Sequence, residues 1–315
     1  MSERVLFRIG AIGEIIKRIQ QALTDIGFDP NGVDGWYGKN TASAVRSFQE
    51  SMSLPLTGSV DEDTWQQLMK CSVPLVSERS LQVTASFEGH GFGLAMGNFD
   101  GALLTWGIIG FTMASGEVQS IVKAINRAHP QIIQDSFQSS TDELLKLMRS
   151  SSAFQKTWAD QHTLDNGSLM QPWREMFARL GAYPEVQAEQ MKRVKSDYMQ
   201  PAISTAKELK FSSELGLALC FDIHVQNGRI KEAAWEQIER ETRPNMPEAD
   251  LRAVVANAVA DNARQAYRED VRKRKMTLAT GQGIVHGYAY ALENWGLSGQ
   301  WSAEELTSSS AQAAA

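Results

Sequence analysis

A chain of 315 residues, of which 43% are hydrophobic and 22% charged, can bury the cores of two domains and is not intrinsically disordered as a whole. Its 31 basic and 37 acidic side chains give a formal net charge of -6, which argues against a nucleic-acid backbone as the main partner. Cys71 and Cys220 lie far apart and show no metal-ligand spacing, so we expect two free, buried thiols.

The first residues lack the continuous apolar segment and the small-residue cleavage site of a secretory signal. No stretch approaches the ~20 apolar residues that span a bilayer, so we expect synthesis in the cytoplasm and no stable membrane insertion. The five histidines do not pair with Cys, Asp or another His at metal-binding spacing. We therefore expect neither a metal nor a cofactor.

Residues 12–26 carry the period of an amphipathic helix, which Gly27 can end. The apolar residues of this stripe are Ile12, Ile15, Ile16, Ile19, Leu23 and Ile26. The turn-rich stretch DPNGVDGWYG follows, Thr41 opens a second helix, and a third begins after Asp61. The pattern predicts a small three-helix domain over residues 1–73.

The segment from Ile16 to Leu68 resembles the three-helix peptidoglycan-binding domain that is found attached to wall hydrolases. The resemblance is carried, in chain order, by Gln20, Leu23, Gly27, Asp34, Gly35, Tyr37, Gly38, Thr41, Phe48, Gln49, Gly58 and Trp65. In VDGWYG the glycines permit a turn that presents Asp34, Trp36 and Tyr37 as an acceptor and two aromatic faces for sugars or stem peptides. Asp34 fits equally well as a cap of the following turn.

The helical pattern lapses in CSVPLVSERS and resumes at Leu81. We therefore predict a linker over residues 74–79, a second domain over 80–300 and a disordered tail over 301–315. Beyond the linker the chain reads mainly as helices, without strong alternating strands, which predicts a mainly α fold.

Two blocks of the second domain, SFEGHGFGLAMGNFDGALLTWGIIGF and ELGLALCFDIHVQNG, resemble the chitosanase family of inverting glycoside hydrolases, within the lysozyme superfamily. The resemblance implies an α+β, lysozyme-like, mostly helical domain of two lobes. It places Glu88 as the general acid at the end of a long helix and Asp100 as the general base. It further implies that Thr105 holds the attacking water and that Glu117 binds substrate.

The resemblance also assigns Asp222 to a supporting network of Asp and Arg behind the acid. Arg268 is the better match for the network arginine, and Arg264 is the second. The connection between Glu88 and Asp100 is shorter than is usual in the family, with eleven residues that include four glycines. These glycines indicate either a close approach of substrate to the backbone or a mobile loop.

Inverting glycoside hydrolysis needs one carboxylic acid to protonate the leaving oxygen and one carboxylate to activate water, the two standing roughly 6.5 to 9.5 Å apart. Glu88 follows Phe87 in a rather apolar helix, a setting that favours its protonated form, whereas Asp100 beside glycine would stay solvated and ionised. Two alternatives stay open at this point. Thr105 also fits an ordinary strand residue, and Glu117 also fits the first turn of the following helix.

The leading hypothesis is a peptidoglycan hydrolase of the lysozyme or muramidase type, which cleaves the β-1,4 bond of wall glycan strands while the N-terminal domain anchors it. The alternatives are a chitosanase and a non-catalytic wall-binding protein. We expect a monomer that reaches the periplasm either as a phage endolysin released from the cytoplasm or as an injected secretion-system effector. In the second case an immunity protein would be a partner.

Overall fold

The computed structural model describes residues 4–89, 91–98 and 101–307, without the side chain of Glu88. The chain divides into two compact units, one formed by Met1–Phe87 with Tyr198–Ala315 and the other by Glu88–Asp197. Both units are mainly helical, as the sequence predicted, and their strands are short. Within the described residues, no helix combines the length and the apolar character needed to cross a membrane.

The first unit contains both ends of the described chain. Its strands are β1 (Val5–Phe7) and β2 (Val60–Asp61), which pair antiparallel, and β6 (Gln282–Val285) and β7 (Tyr288–Ala291), which form a hairpin. Its helices are α1 (Glu14–Asp25), α2 (Lys39–Ser51), α3 (Glu62–Met69), α4 (Val76–Glu88), α11 (Gln200–Glu208), α12 (Glu214–Asn227), α13 (Glu232–Glu241), α14 (Glu248–Asp261), α15 (Arg268–Thr280) and α16 (Glu304–Thr307).

The second unit packs helices beside a small antiparallel sheet. The sheet has the order β3 (Ala95–Met96), β4 (Thr105–Trp106) and β5 (Phe111–Thr112). The helices are α5 (Glu117–Ala128), α6 (Pro130–Phe137), α7 (Thr141–Arg149), α8 (Ser152–His162), α9 (Gln171–Gly181) and α10 (Pro184–Arg193). A π-helical segment, Val194–Met199, follows α10 and leads back to the first unit.

The three predicted N-terminal helices form where their periodicity places them. Helix α1 buries an aliphatic stripe that includes Ile16, Ile19 and Leu23, and Gly27 lies just beyond its end with a φ of +92°. Helix α3 begins after Asp61, whose Oδ1 accepts a hydrogen bond of 2.7 Å from the backbone N–H of Thr64. This contact satisfies one of the donors that every helix leaves free at its N-terminus.

The core of the first unit surrounds α12. Ten consecutive residues of this helix, Glu214–Ile223, are buried, so it has no solvent-facing side over most of its length. A helix that is apolar all round is expected only where neighbours cover every face. Here α11, α14 and α15 supply those neighbours.

The N-terminal three-helix module packs against the segment that follows β7. The backbone N–H of Arg8 donates to the carbonyl of Asn294 at 3.1 Å, and the Arg8 Nε donates to the Asn294 side chain at 3.0 Å. The indole Nε1 of Trp295 donates to the carbonyl of Ile12 at 2.9 Å. The module is therefore joined to the rest of its unit by main-chain contacts as well as by the chain itself.

A buried ion pair lies beside this junction. Arg79 Nη2 donates to Glu214 Oε1 at 2.9 Å, and both side chains are almost completely buried. Arg4 pairs with the same carboxylate, and Arg79 also donates to the carbonyl of Gly296. One glutamate of α12 thereby holds the start of the chain and the first turn of α4.

Two expectations about boundaries and one about the cysteines need correction. Helix α4 begins at Val76, so most of the predicted linker over residues 74–79 is helical. Part of the predicted disordered tail forms α16, and residues 308–315 lie outside the described residues. Both cysteines are free, but only Cys220 is buried, because Cys71 lies on the surface after the end of α3.

Replacing Gly296 with alanine should destabilise the packing of the module. Gly296 has a φ of +64°, and an added Cβ would lie 2.6 Å from the carbonyl oxygen of Val5 and 2.9 Å from the Cα of Leu6. Backbone strain and overpacking together should lower the free energy of unfolding by about 2–4 kcal/mol, measured by urea denaturation. Gly27→Ala is the matched control, because its φ is +92° and nothing lies within 4 Å of an added Cβ. Equal losses in the two variants would contradict the packing argument.

Candidate active site and wall-binding turn

Glu88, the proposed acid, is the last residue of helix α4, as the sequence predicted. The proposed base, Asp100, lies outside the described residues, as do His90 and the side chain of Glu88. The described surroundings of these residues lie in each unit by itself: the sheet and loops in the second unit, and the buried cluster beside α4 in the first.

Thr105 lies on the central strand of the small sheet. It pairs with Met96 on one side and with Thr112 on the other, and only 8% of its surface is exposed. The next residue, Trp106, is fully buried and donates from its Nε1 to the carbonyl of Phe177 at 3.2 Å. Thr105 is thus a strand residue, which was one of the two interpretations from the sequence. Its strand holds it rigidly.

Two residues that the sequence analysis did not single out flank Asp100 in the chain. Asn98 accepts a hydrogen bond of 3.1 Å on its Oδ1 from the backbone N–H of Leu103, and its Nδ2 donates to Asp160 at 2.6 Å. Leu103 has a φ of +68°, a conformation that bulky residues rarely adopt. Such strain persists only where the surroundings impose it, and it is often found at functional sites.

The glycines between Glu88 and Asp100 do not all serve substrate access or mobility. An added Cβ on Gly93 would lie 2.9 Å from the backbone of Ala178, and one on Gly181 would lie 2.2 Å from the carbonyl of Phe92. Gln190 fixes the same loop, because its Nε2 donates to the Phe92 carbonyl at 3.0 Å. Gly93 is therefore required for the close approach of this loop to α9.

Glu117 lies in the first turn of α5, and its carboxylate is engaged by the preceding loop. Its Oε2 accepts from the Thr112 backbone N–H at 2.9 Å, from the Thr112 hydroxyl at 3.4 Å and from the Ser115 hydroxyl at 2.7 Å. The contacts tie β5 to the start of α5. They agree with the first-turn alternative for Glu117, and they do not by themselves indicate a substrate contact.

In the first unit, Asp222 forms a fully buried ionic cluster behind α4. Its carboxylate accepts from Arg274 Nε at 2.9 Å and Nη2 at 2.7 Å, from Lys275 Nζ, and from the Thr84 hydroxyl at 3.0 Å. Lys275 also donates to Gln226 at 2.7 Å. The cluster joins α12, α15 and α4, the helix that ends at Glu88.

The two cations decide the protonation state of Asp222. Burial alone would raise the pKa of this carboxyl, but Arg274 and Lys275 outweigh that effect and lower it to about 2. The carboxylate therefore stays ionised at any physiological pH. Its geometry, with two Arg274 nitrogens on one carboxylate, is the strong bidentate form of this pair.

The arginine of this network is Arg274, not Arg268 or Arg264. Both predicted residues are exposed near the start of α15, whereas Arg274 is 1% exposed and faces Asp222. The sequence contained a usable signal, because Arg274 and Lys275 lie between Val271 and Leu278 on the stripe of α15 that is buried.

In the N-terminal module the three predicted contact residues differ in accessibility. Asp34 accepts from Gln20 Nε2 and from the Trp36 backbone N–H, both at 2.8 Å, and these bonds lower its pKa. Tyr37 is 2% exposed and donates its hydroxyl to the Gly58 carbonyl, so the expectation that it presents an aromatic face is wrong. Trp36 is 54% exposed and stays available.

A helix that ends in a glutamate, with a buried Asp–Arg pair beside it, is an arrangement that a glycoside hydrolase can use to hold a general acid. Residues 84–276 match the family model of glycosyl hydrolase family 46, and residues 12–68 match that of the peptidoglycan binding domain. Because the first match covers more than half of the chain, the chain belongs to glycosyl hydrolase family 46 and is a chitosanase-like glycosidase that carries a peptidoglycan-binding domain.

Similar proteins include one enzyme that matches over a short segment and solved chitosanases that match over most of the chain. Over 71 residues the chain is 39% identical to the spore cortex-lytic enzyme of Bacillus cereus, a match that covers 22% of this chain and only 27% of that enzyme. A family 46 chitosanase of Gynuella sunshinyii, solved with chitotetraose, is 17% identical with a TM-score of 0.48, covering 70% of this chain and 98% of that one. A chitosanase mutant of Bacillus subtilis, solved with 6 GlcN, is 17% identical with a TM-score of 0.46. The match again covers 70% of this chain and 98% of that one.

Replacing Asp222 with asparagine should strongly destabilise the protein, because it leaves two buried cations without a counter-charge. We expect a loss of about 3–5 kcal/mol in the free energy of unfolding at pH 7, measured by urea denaturation. The pH dependence is an internal control. Because the folded pKa lies below the unfolded one, wild-type stability should fall as the pH drops from about 4 through 2. This fall should be smaller in Asp222→Asn, and an unchanged fall would contradict the assignment.

Proposed function

We propose that the protein is a peptidoglycan hydrolase that cleaves the β-1,4 bond of the wall glycan strand. The observation that carries this proposal is the packing of a peptidoglycan-binding domain into the same compact unit as α4 up to Phe87, the residue before Glu88. An anchor of this kind raises the local concentration of the enzyme on its polymer. A rigidly joined anchor also restricts which part of the polymer the enzyme meets.

The mechanism uses two carboxyl groups and a water molecule. Glu88 protonates the leaving glycosidic oxygen, and Asp100 accepts a proton from the water that attacks the anomeric carbon on the opposite face. The product has an inverted anomeric centre. Thr105 orients the water, a task that suits a side chain fixed on the central strand of a sheet.

The state of Glu117 supports an uncharged glycan as substrate. Glucosamine units carry an ammonium group that a binding site must compensate with carboxylates, whereas N-acetylated sugars are neutral. Three hydrogen bonds from Thr112 and Ser115 already occupy Glu117 Oε2. These bonds commit Oε2 to joining β5 to the start of α5, which is a structural use of this carboxylate and needs no ammonium group on the substrate.

Chitosan is the second candidate substrate. The family match over residues 84–276 favours it, since the two solved relatives described above are chitosanases. Both candidates are β-1,4-linked amino-sugar polymers, so the same pair of carboxyl groups would serve either one. The distinction is made by the groups that line the glycan path.

Action on the wall of a bacterium completes the proposal. The enzyme would reach the periplasm after release from the cytoplasm, as an endolysin, or after injection by a secretion system, as an effector. In the effector case a dedicated immunity protein would protect the producing cell. We propose that it acts as a monomer.

Glu88→Gln should abolish hydrolysis without unfolding the protein. Loss of the general acid should lower kcat on purified sacculi by about a thousandfold, measured as release of soluble muropeptides. Thermal unfolding and sacculus binding should stay unchanged. Equal release by both proteins would refute the assignment of the acid, and no release by either would favour a non-catalytic wall-binding protein.

The same assay, with chitosan offered in parallel, distinguishes the two substrates. Mass spectrometry of the muropeptides should show reducing N-acetylmuramic acid ends, as a muramidase leaves. Reducing N-acetylglucosamine ends would indicate a glucosaminidase, and free stem peptides with intact glycan would contradict any glycosidase. Reducing ends released from chitosan alone would establish the chitosanase alternative instead.

Trp36→Ala should weaken wall binding because it removes the exposed aromatic face of the module. We expect about a tenfold rise in the dissociation constant for sacculi, measured by co-sedimentation with the hydrolysis-deficient Glu88→Gln protein. Trp301→Ala is the matched control, because Trp301 is 48% exposed but lies outside the module. A comparable loss in both variants, or in neither, would contradict a binding role for Trp36.

A further inference from the structure

The tip of the β6–β7 hairpin holds a histidine in an uncommon backbone conformation. His286 and Gly287 form the two-residue turn, with φ values of +51° and +84°. Two successive positive φ values are typical of a type I′ turn, in which Asn-Gly is the favoured pair. A histidine at the first position is less favourable than asparagine, so the hairpin presents this side chain at some cost in backbone energy.

Both ring nitrogens of His286 meet hydrogen-bond acceptors. Its Nδ1 lies 3.1 Å from the carbonyl oxygen of Phe87, and its Nε2 lies 2.8 Å from Oδ1 of Asp270. A neutral imidazole has only one N–H and could satisfy one of these contacts. A carbonyl and an ionised carboxylate cannot donate, so both contacts are hydrogen bonds only when the imidazole carries a proton on each nitrogen.

The carbonyl of Phe87 lies in the last turn of α4, directly before Glu88. The last four carbonyls of a helix have no partner within it, and the negative end of the helix dipole favours a cation there. The ring of Phe87 is held as well: the guanidinium of Arg274 lies 5.1 Å from its centroid, and the ring of Tyr290 lies at 4.7 Å. Backbone and side chain of the residue before the proposed acid are therefore both fixed.

Asp270 is in turn connected to the buried cluster. Gln226 Nε2 lies 3.4 Å from Asp270 Oδ2, and Gln226 Oε1 accepts from Lys275 Nζ at 2.7 Å. Lys275 pairs with Asp222. A continuous set of polar contacts thus links the core of the first unit to the hairpin tip. In the described part of the chain, Asp270 is the titratable side chain that contacts the imidazole, and Lys275 and Arg274 are the charged groups behind it.

We propose that His286, as an imidazolium bridging Asp270 and the Phe87 carbonyl, is a positioning residue that fixes the end of α4 and hence the main chain of the general acid. The proposal rests on the proposed function of Glu88 and deepens it. His286 touches neither the reacting atoms nor the water. Its effect needs a proton on both ring nitrogens, because each nitrogen faces an acceptor.

His286→Asn removes the imidazole but keeps a residue that suits the turn, so it tests the side chain alone. Asparagine suits the first position of a type I′ turn, so the variant should fold with unchanged or higher thermal stability. We expect kcat on sacculi to fall about tenfold with KM within about twofold, because substrate contacts are intact and only the acid is less well held. The pH profile of kcat should also differ from that of the wild type, because the variant has no imidazole that gains or loses a proton. Superimposable pH profiles and equal kcat would overturn the positioning role.

NMR of protein with ¹⁵N-labelled histidine tests the bridge without any activity measurement. When the ring of His286 gains its second proton, the Phe87 carbonyl carbon shift should change together with the shifts of both ring nitrogens. His162 is the internal control. Its Nδ1 lies 2.7 Å from the carbonyl of Trp158, and among the described residues no acceptor contacts its Nε2, so the Phe87 shift should not follow its ring.

The two arms separate failure of this proposal from failure of the proposed function. A Phe87 carbonyl shift that does not follow the protonation of the His286 ring overturns the bridge whatever the enzyme hydrolyses. If the wild-type protein is inert on every glycan while the NMR signature is present, the assignment of Glu88 fails and the bridge stands. Asp270→Asn is the conservative partner variant: it keeps an acceptor for Nε2 but removes the negative charge that favours the imidazolium, so the response of the Phe87 shift should weaken without any change in the turn.

Discussion

The geometry around the proposed acid depends on one buried carboxylate, Asp222. It lies on α12, in a run of ten buried residues, and its cations come from the neighbouring α15. Ions removed from water cost several kcal/mol each unless their partners are well placed, so the cluster tolerates little variation in the spacing of these helices. The Thr84 hydroxyl extends this constraint to α4. A hydrophobic contact could hold the same helices together but would not fix their register as closely.

The second constraint is the junction between the module and the rest of the first unit. Arg79 and Glu214 are buried there together, and the indole of Trp295 donates to a carbonyl of the module. Such contacts impose an orientation, because each needs a donor to meet an acceptor over about 3 Å. A wall-binding domain on a flexible linker would let the enzyme search the polymer around its anchor. Here the module and α4 up to Phe87 lie in one compact unit, so these contacts fix the module relative to that helix.

The sequence predicted the three N-terminal helices because their apolar residues repeat with the helical period. The network arginine was missed because α15 carries many charges and only a narrow apolar stripe. Val271 and Leu278 mark that stripe, and Arg274 and Lys275 lie between them at helical spacing. Matching by family spacing instead pointed to Arg268, an exposed residue. A buried cation pair can be found from sequence only when the opposing carboxylate is known to be buried as well.

The β6–β7 hairpin escaped prediction for a different reason. A half-buried strand shows alternation, but this hairpin exposes Ile284 and Tyr288 and buries Val285 and Tyr290, and its turn is His-Gly and not Asn-Gly. Local pattern could not show that the hairpin packs against the end of α4, because the contact joins residues about 200 positions apart. Pairings of this kind are determined by the fold as a whole and leave no periodic trace.

The turn VDGWYG shows how two adjacent aromatic residues of one motif divide into core and surface. Tyr37 pairs its hydroxyl with the Gly58 carbonyl and fills the interior, so its contribution is to the stability of the module. Asp34 accepts hydrogen bonds from Gln20 and from the backbone of its own turn. Trp36 is left as the exposed side chain of the three. A flat ring held by an ordered turn loses little conformational entropy on binding, which suits stacking on the apolar face of a sugar.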